Sequence, residues 1–322
     1  MQCADFIENH GAIAPVERHR LVQKSRCVAR NLQLHRRESD AAMSNSGGAA
    51  VMPRRNITDA HVARWIKQGK GQGQGNGYIP WFKVRDVPSC GEGWQTPLMY
   101  YRERSTPHQY LSRLEKSTGC ILEWLGAVEI REQYADLSPH RDRDETIEIA
   151  ERLGVRHPVY RDTKTPIVVT TDIVATMPKG ELQAAYCKPK ALLDPATEEG
   201  RRNIKKKAIE ACYWDARGIE LKVVTEDTYP ELLKKNVIDL RDRMFFHEHD
   251  HVVPRITEAV ECFMGKWTRS TILADLIEYL PPQTGLTIQQ SANLIYRATW
   301  QGLIPVKLAA GRFHPRLPVV LA

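Results

Sequence analysis

The sequence has no uninterrupted apolar run of the ~18 residues that a helix needs to cross a bilayer. It also has no continuous apolar stretch near residue 1 of the kind that signal peptides contain. We therefore expect a protein without membrane contact that resides in the cytoplasm. The seven cysteines form no CxxC pair, which argues against the common zinc and thiol redox motifs. They are predicted to be reduced thiols.

The glycine-rich segment 70–77 contains neither GK[ST] nor GxGxxG, so it does not have the composition of a phosphate-binding nucleotide loop. It begins with Lys70 and is predicted to be either a mobile basic loop that touches a nucleic-acid backbone or a simple connector. Arg64 and Lys67, on the short helix predicted just before it, are further candidates for DNA contact.

The 322 residues are 42% hydrophobic and 26% charged, which is ordinary globular composition and predicts about two domains. Residues 1–55 form an extension that includes a linker-like Ser, Gly and Ala segment. Residues 56–245 are predicted to form one domain and residues 252–322 a second. The net charge of +7 suits a polyanionic partner, but a solvated basic surface would have the same charge.

Apolar periodicity in the first domain predicts a mixed α/β fold. The strand that covers 128–134 alternates as a half-buried strand, and the β-branched run before the turn Met177–Gly180 predicts a β-hairpin. The elements expected in chain order are helix 59–68, helix 107–125, strand 128–134, helix 141–153, strands 166–176 and 182–188, helix 202–217 and strand 220–225.

In the second domain, the pattern predicts helix 268–280, a turn at 281–285 and helix 287–302. The apolar segments 303–308 and 318–321 are predicted to form a wing hairpin. Two helices followed by such a hairpin indicate a winged helix-turn-helix domain, a pattern that favours DNA binding.

One pair of residues on the predicted hairpin could carry chemistry. Asp172 lies on the first strand and Lys188 ends the second, an arrangement typical of PD-(D/E)xK nucleases, where carboxylates hold a divalent cation and an ammonium positions or deprotonates the attacking water. Tyr186 stands where an acid is usual, so Glu115 is the candidate second carboxylate, and Cys187 can offer its backbone carbonyl to a metal. An exposed hairpin that carries an Asp and a Lys by chance remains the alternative.

The surrounding sequence resembles the TnsA family, the endonuclease subunits of heteromeric cut-and-paste transposases. The resemblance covers residues 57 to about 230 and keeps one order along the chain. It rests on the segments 64–75, 78–89, 111–115, 122–124, 130–134, 157–159, 171–172, 188–189 and 213–214.

This resemblance implies a restriction-endonuclease-like catalytic domain that nicks DNA with Mg²⁺ or Mn²⁺. The family glutamate, aspartate and lysine fall on Glu115, Asp172 and Lys188, with Glu115, Asp172 and the Cys187 carbonyl as the implied metal ligands. Glu210 matches a further acidic position near the family site. The family usually has glutamine where this chain has Tyr186. The supporting residues implied are Tyr186, Glu210, Glu132 and Gln133.

The resemblance also implies partners. These are the DNA of the transposon ends, a TnsB-like DDE subunit that performs strand transfer, a TnsC-like AAA+ regulator that docks on the C-terminal domain, and a target selector that is a DNA-binding protein or an RNA-guided complex. The implied location is the bacterial cytoplasm, at the nucleoid during action. A stand-alone restriction or defence nuclease and a catalytically silent DNA-binding or scaffold subunit remain alternatives. The run Lys205–Lys207 is interpreted as a solvated helix face or a phosphate contact.

Overall fold

The computed structural model describes residues 57–84, 107–135, 141–244 and 247–322. The predicted extension 1–55 and parts of the segments that carry the family resemblance lie outside the described residues. The helices and strands are α1 (Asp59–Lys67), α2 (Arg113–Trp124), β1 (Glu129–Tyr134), α3 (Arg141–Arg152), β2 (Thr171–Thr176), β3 (Leu182–Cys187), α4 (Glu198–Asp215), β4 (Leu221–Val224), α5 (Glu231–Met244), α6 (Ile256–Lys266), α7 (Leu273–Thr284) and α8 (Ile288–Trp300).

Four strands form one mixed sheet in the order β1-β2-β3-β4. The pairs β1/β2 and β2/β3 are antiparallel, whereas β4 runs parallel to β3 after the crossover through α4. Gly180, with a φ of 90°, closes the tight turn between β2 and β3, and its N–H donates to the Met177 carbonyl. The predicted mixed α/β fold and its hairpin are confirmed.

Helices cover both faces of the sheet because successive side chains of a strand point to opposite sides. Ile173 of β2 belongs to a buried cluster with Cys120 of α2 and Leu240 of α5. The next residue, Val174, belongs to a second cluster with Ile149 of α3 and Ile209 of α4. The sheet is therefore the middle layer of three, which explains why all its strands carry buried residues.

Two element boundaries and the burial of one strand differ from the sequence predictions. Helix α2 begins at Arg113 rather than at 107, because Ser112 provides its N-cap and the preceding residues are extended. Strand β2 begins at Thr171 rather than at 166. The prediction of a half-buried β1 is wrong, since every residue after Glu129 in this strand is buried between the two helical layers.

The C-terminal part contains more helix than predicted. Helices α5 and α6 had no counterpart in the sequence prediction, and α7 continues through Pro281 and Pro282, which were predicted to form a turn. The two segments of the predicted wing do pair antiparallel, but only through the isolated bridge Val306–Leu321 and not as regular strands, and Pro318 of the second segment pairs with Ile272.

Two expectations from composition can be compared with the described part of the chain. Cys120, Cys187, Cys212 and Cys262 are free thiols, as predicted for these four. Among the described helices, none combines the length and apolarity that a membrane crossing requires.

Candidate active site

Asp172 and Lys188 meet at the end of the β2/β3 hairpin. The Cys187 backbone N–H donates to Asp172 Oδ2 at 2.7 Å, which fixes the carboxylate against the neighbouring strand. Lys188 Nζ lies 4.0 Å from the same oxygen. Asp172 is buried, whereas a quarter of the Lys188 side chain is exposed. The pair predicted from the sequence therefore exists, with its ammonium on the solvent side.

Glu115 enters the same charge cluster from the first turn of α2. Its Oε2 accepts from the Leu111 N–H at 2.8 Å and its Oε1 from the Ser112 hydroxyl at 3.0 Å. The Ser112 hydroxyl in turn accepts from the Glu115 N–H at 3.1 Å and caps the helix. The helix start thus holds a buried carboxylate in a defined orientation.

Gln133 is the third hydrogen-bond donor to Glu115. Its side-chain amide donates to Glu115 Oε2 at 3.1 Å, and its φ of 49° lies in the left-handed region that few residue types other than glycine adopt. Ile130 packs in the α2 cluster, but Tyr134 packs in the α4 cluster, although residues four apart in a regular strand share a face. The turn at Gln133 accompanies this change of face.

The negative charge of Asp172 adds to the cost of ionising Glu115. Burial, followed by the negative charge of Asp172, raises the pKa of Glu115 to about 8. The charge of Asp172 also raises the pKa of Lys188 above its ordinary value. At neutral pH the cluster therefore holds the Lys188 ammonium and a Glu115 carboxyl group that favours its protonated form. A cation bound nearby would favour the ionised form of Glu115 instead.

Glu210 of α4 is buried on the other side of the hairpin. Lys206 Nζ approaches its Oε1 to 3.6 Å, and neither carboxylate oxygen has a hydrogen bond among the described residues. Burial raises the pKa of Glu210 to about 8, and the charge of Asp172 contributes to that rise. The same carboxyl lines a small pocket with Thr171 and Trp214.

Tyr186 is turned towards α4 rather than into a ligand position. Its hydroxyl donates to the Asn203 carbonyl at 3.3 Å, and its ring lies 5.5 Å from Lys188 Nζ. Burial raises the pKa of this phenol, so it remains a neutral donor. Tyr186 therefore packs beside the site and braces β3 against the start of α4.

Glu132 holds the segment that leads into α2. Its two oxygens lie 3.0 Å from His108 Nδ1 and 2.9 Å from the Gln109 N–H, which donates to it. This carboxylate is buried, and it anchors the chain just before Leu111 and Ser112. Glu132 therefore acts on Glu115 indirectly, through the backbone that it anchors.

The basic residues near the glycine-rich segment differ in exposure. Arg64 and Lys67 are exposed on α1, and their contact with DNA remains a prediction. Lys70 instead donates to the Trp81 carbonyl at 3.4 Å and lies 4.6 Å from the Trp65 ring centre. The segment is a packed connector, since Gly71 approaches Ala135 so closely that a Cβ would lie 2.4 Å from its carbonyl oxygen.

The donor set fits a hard divalent cation. Among the described residues, no three His, Cys, Asp or Glu side chains converge on one point, so the available side-chain ligands are Glu115 and Asp172. Mg²⁺ is commonly bound through one or two carboxylates and keeps several waters. Two buried carboxyl groups whose mutual repulsion a cation would relieve have the chemistry that such a site requires.

Sequence reasoning did not identify Ser112 or Lys206 as parts of this cluster. The S-x-x-E pattern of Ser112 and Glu115 is a recognised signal for a helix N-terminus and could have placed the start of α2. Lys206 and Lys207 stand four and three residues before Glu210, the spacings at which helix side chains meet, and this signal could have separated them from Lys205. Only the packing of α4 shows that Lys206 is the residue that pairs with Glu210.

Comparison with known proteins supports the resemblance seen in the sequence. Residues 127–226 match a family model described as the N-terminal part of TnsA-like endonucleases. Over 184 residues, the chain is 32% identical to the Transposon Tn7 transposition protein TnsA of Escherichia coli. That alignment covers 56% of this chain and 62% of the relative. The matched segment contains Gln133, Asp172, Lys188 and Glu210.

Proposed function

We propose that this chain, whose residues 127–226 are TnsA-like, is the DNA-cleaving subunit of a heteromeric cut-and-paste transposase. The observation that carries the proposal is the convergence of Glu115, Asp172 and Lys188 within and beside that TnsA-like segment. Neither a stand-alone restriction or defence nuclease nor a silent scaffold subunit is favoured, since the relative is a transposition protein and the carboxylates and the ammonium are present.

The proposed reaction is hydrolysis of a phosphodiester bond in a PD-(D/E)xK-type site. Glu115 and Asp172 would hold Mg²⁺ or Mn²⁺, with the Cys187 backbone carbonyl as a further ligand. When bound, such an ion polarises a phosphoryl oxygen and stabilises the charge that develops during hydrolysis. Tyr186 supplies no ligand in this proposal, because its hydroxyl is directed to α4.

The chain's own groups have separate tasks in this site. Lys188 presents an ammonium that orients the attacking water or a phosphoryl oxygen by donating a hydrogen bond. Ser112 and Gln133 keep the Glu115 carboxylate oriented through the hydrogen bonds described above. Asp172 keeps its orientation through the Cys187 N–H.

The wider role follows from the relative and extends beyond the region that the two chains share. We propose that the chain nicks the 5′ ends of a transposon, while a TnsB-like DDE subunit performs strand transfer. Residues 252–322, proposed as a variant of the winged-helix fold, would dock a TnsC-like AAA+ regulator. A protein or an RNA-guided complex would select the target. The complex would act at the nucleoid in the bacterial cytoplasm.

A nicking assay on a duplex that carries the transposon end, with the DDE subunit present, tests the proposal. We expect Asp172→Ala and Lys188→Ala each to lower the nicking rate by at least about a hundredfold, because each removes a group that contacts the reacting atoms. Omission of the divalent cation should have the same effect.

Lys179→Ala in the β2/β3 turn is the matched control, since Lys179 is an exposed lysine of the same hairpin, away from Asp172. Nicking at the wild-type rate by folded Asp172→Ala protein would overturn the assignment. Nicking that needs neither the DDE subunit nor the transposon end would instead favour a stand-alone nuclease.

A further inference from the structure

Helix α4 carries a row of side chains that leads from solvent to the candidate active site. Residues four apart in a helix lie within about 40° of each other around its axis. Arg202, Lys206 and Glu210 are spaced in this way. Arg202 is exposed, Lys206 is about 29% exposed and Glu210 is buried, so the row descends from the surface to the charge cluster.

The inner end of this row lies beside Lys188. Lys188 and Lys206 both act electrostatically on Glu210, and the Tyr186 hydroxyl bonds the Asn203 carbonyl between Arg202 and Lys206. The end of β3 is thus held against the first half of α4. Three cations, from Arg202 through Lys206 to Lys188, consequently line one approach to Asp172.

We propose that the backbone of the cleaved DNA strand lies along Arg202 and Lys206 and reaches Lys188, so that these cations hold successive phosphates next to the scissile bond. Arg202 and Lys206 are about 6 Å apart along the helix axis, at 1.5 Å per residue. Arginine and lysine are the residues that most often neutralise DNA phosphates. This proposal rests on the function proposed above and names the path of its substrate.

The neighbouring basic residues do not belong to this path. Lys205 and Lys207 point about 100° to either side of Lys206 around the helix. Arg201 is engaged by the backbone, because its guanidinium donates to the Pro195 and Ala196 carbonyls. Glu199 lies three residues before Arg202, on the same side of the helix and one turn nearer its N-terminus, and its negative charge ends the cationic stretch. The path therefore has two phosphate contacts on α4.

The test is the binding of a fluorescent linear duplex to the full chain, measured by anisotropy at several salt concentrations in EDTA. We expect Arg202→Gln to weaken binding several-fold at low salt and to lower the slope of log K against log salt by about 1. The double variant Arg202→Gln/Lys206→Gln should lower the slope by about 2. Arg202 is exposed, so its substitution leaves folding intact.

Lys205→Gln/Lys207→Gln is the control, because it removes the same charge from the same helix and should leave the slope within about 0.5 of the wild-type value. Equal slopes for the two double variants would overturn the proposed path, as would a wild-type chain that binds no duplex at low salt. Because binding is measured without a divalent cation, failure of the path is distinguishable from failure of nuclease activity. A wild-type chain that binds through Arg202 and Lys206 but never nicks DNA contradicts only the function.

Discussion

Gln133 has a left-handed backbone conformation that is unfavourable for a residue other than glycine, and its hydrogen bonds offset this cost. A non-glycine residue in the left-handed region costs of the order of 1 kcal/mol. In return, the Gln133 amide reaches Glu115 and its carbonyl accepts from the Trp81 N–H at 3.2 Å. The hydrogen bonds of its side chain and of its backbone carbonyl stabilise this turn, which brings β1 into contact with Glu115 of α2.

Replacement of Gln133 by Met tests this role, since Met has a similar size and no hydrogen-bond donor. We expect the nicking rate to fall about 10- to 100-fold and the Mg²⁺ concentration for half-maximal rate to rise, because Glu115 loses one of its orienting donors. Stability should fall by only about 1 kcal/mol. Gln183→Met in β3 is the matched control, and equal kinetics for the two variants would contradict the role of Gln133.

Glu210 predicts a dependence of stability on pH. Its pKa rises from 4.5 to about 8 on folding, mainly through burial. Between these values the unfolded chain has lost the proton that the folded chain keeps, so stability falls as pH rises, by up to about 1.4 kcal/mol per pH unit. Lys206 on the same helix, and Asp172 and Lys188 from the hairpin, are the charges that face this carboxyl.

Thermal unfolding in EDTA at about pH 5.5 and about pH 8 measures this effect, because these values lie near the two ends of the range between the unfolded and the folded pKa of Glu210. Glu210→Gln removes one of the two carboxyl groups with a raised pKa, the other being Glu115, and should make the profile shallower, so that the variant gains stability relative to wild type at the higher pH. Glu220→Gln, at an exposed position after the same helix, should retain the wild-type slope. Parallel profiles for wild type and Glu210→Gln would show that Glu210 does not titrate in this range.

Residue types and their spacing predicted Asp172 and Lys188 because both sit on one hairpin, where short-range pattern sets the register. Glu115 could be named from the motif only as a candidate on the preceding helix, because no short-range pattern shows that this helix reaches the hairpin, and the family resemblance then implied the same residue. Gln133 could be named but its role could not be deduced, because a left-handed turn inside a strand leaves no mark in apolar periodicity. Spacing to Glu210 separates Lys206 and Lys207 from Lys205, but only the packing of α4 shows that Lys206 is the residue that pairs.

At the scale of elements, the start of α2 sets both where the helix begins and how the Glu115 carboxyl is oriented. Apolar spacing alone extended this helix back to residue 107, because Tyr110 and Leu111 fit its period. The capping serine overrides that period and begins the helix at Arg113. Helix α5 escaped prediction for the opposite reason, since its apolar residues are interrupted by buried polar ones such as Asn236 and Arg241.

Ser112 offers a prediction that separates these two tasks. Ser112→Ala removes the cap and one donor to Glu115, and we expect a loss of about 1 kcal/mol in the free energy of unfolding. Ser112→Gly removes the same donor but costs only a few tenths of a kcal/mol, because glycine is tolerated at N-caps. Both variants should lower the nicking rate to a similar extent despite their different stabilities. A nicking rate that follows stability instead would show that Ser112 acts only as a cap.

At the scale of the whole molecule, the nuclease part and the C-terminal helices share one apolar core. Cys120 of α2, Leu240 of α5 and Leu294 of α8 belong to a single buried cluster. Arg241 of α5 forms a buried ion pair with Glu123 of α2, with Nε 2.6 Å from Oε2. The predicted domain boundary, between residues 245 and 252, therefore falls between two segments of sequence that share one continuous apolar core.

Ion pairs within the molecule bear on the interpretation of the net charge of +7, which the composition alone could not assign to a partner. Several cations have internal partners: Arg241 with Glu123, Arg312 with Asp239, and Arg217 with Glu145. Arg202 is exposed, and Lys206 pairs with Glu210 while about 29% of its side chain stays exposed, so the path proposed above assigns both to DNA phosphates. Net charge thus predicts a polyanionic partner only after the packing has shown which cations are already engaged.

Removal of residues 247–322 tests the shared core. The truncation takes away the α8 side chains Asn293 and Arg297 that donate to the Met244 carbonyl at the end of α5. It also exposes apolar side chains of α5, and we expect the fragment to lose cooperative thermal unfolding and all nicking. Removal of residues 1–55, predicted to be an extension, is the control and should leave the unfolding temperature within about 2 °C of the full chain. A truncated fragment that unfolds cooperatively at the wild-type temperature would show instead that the nuclease part folds as an independent domain.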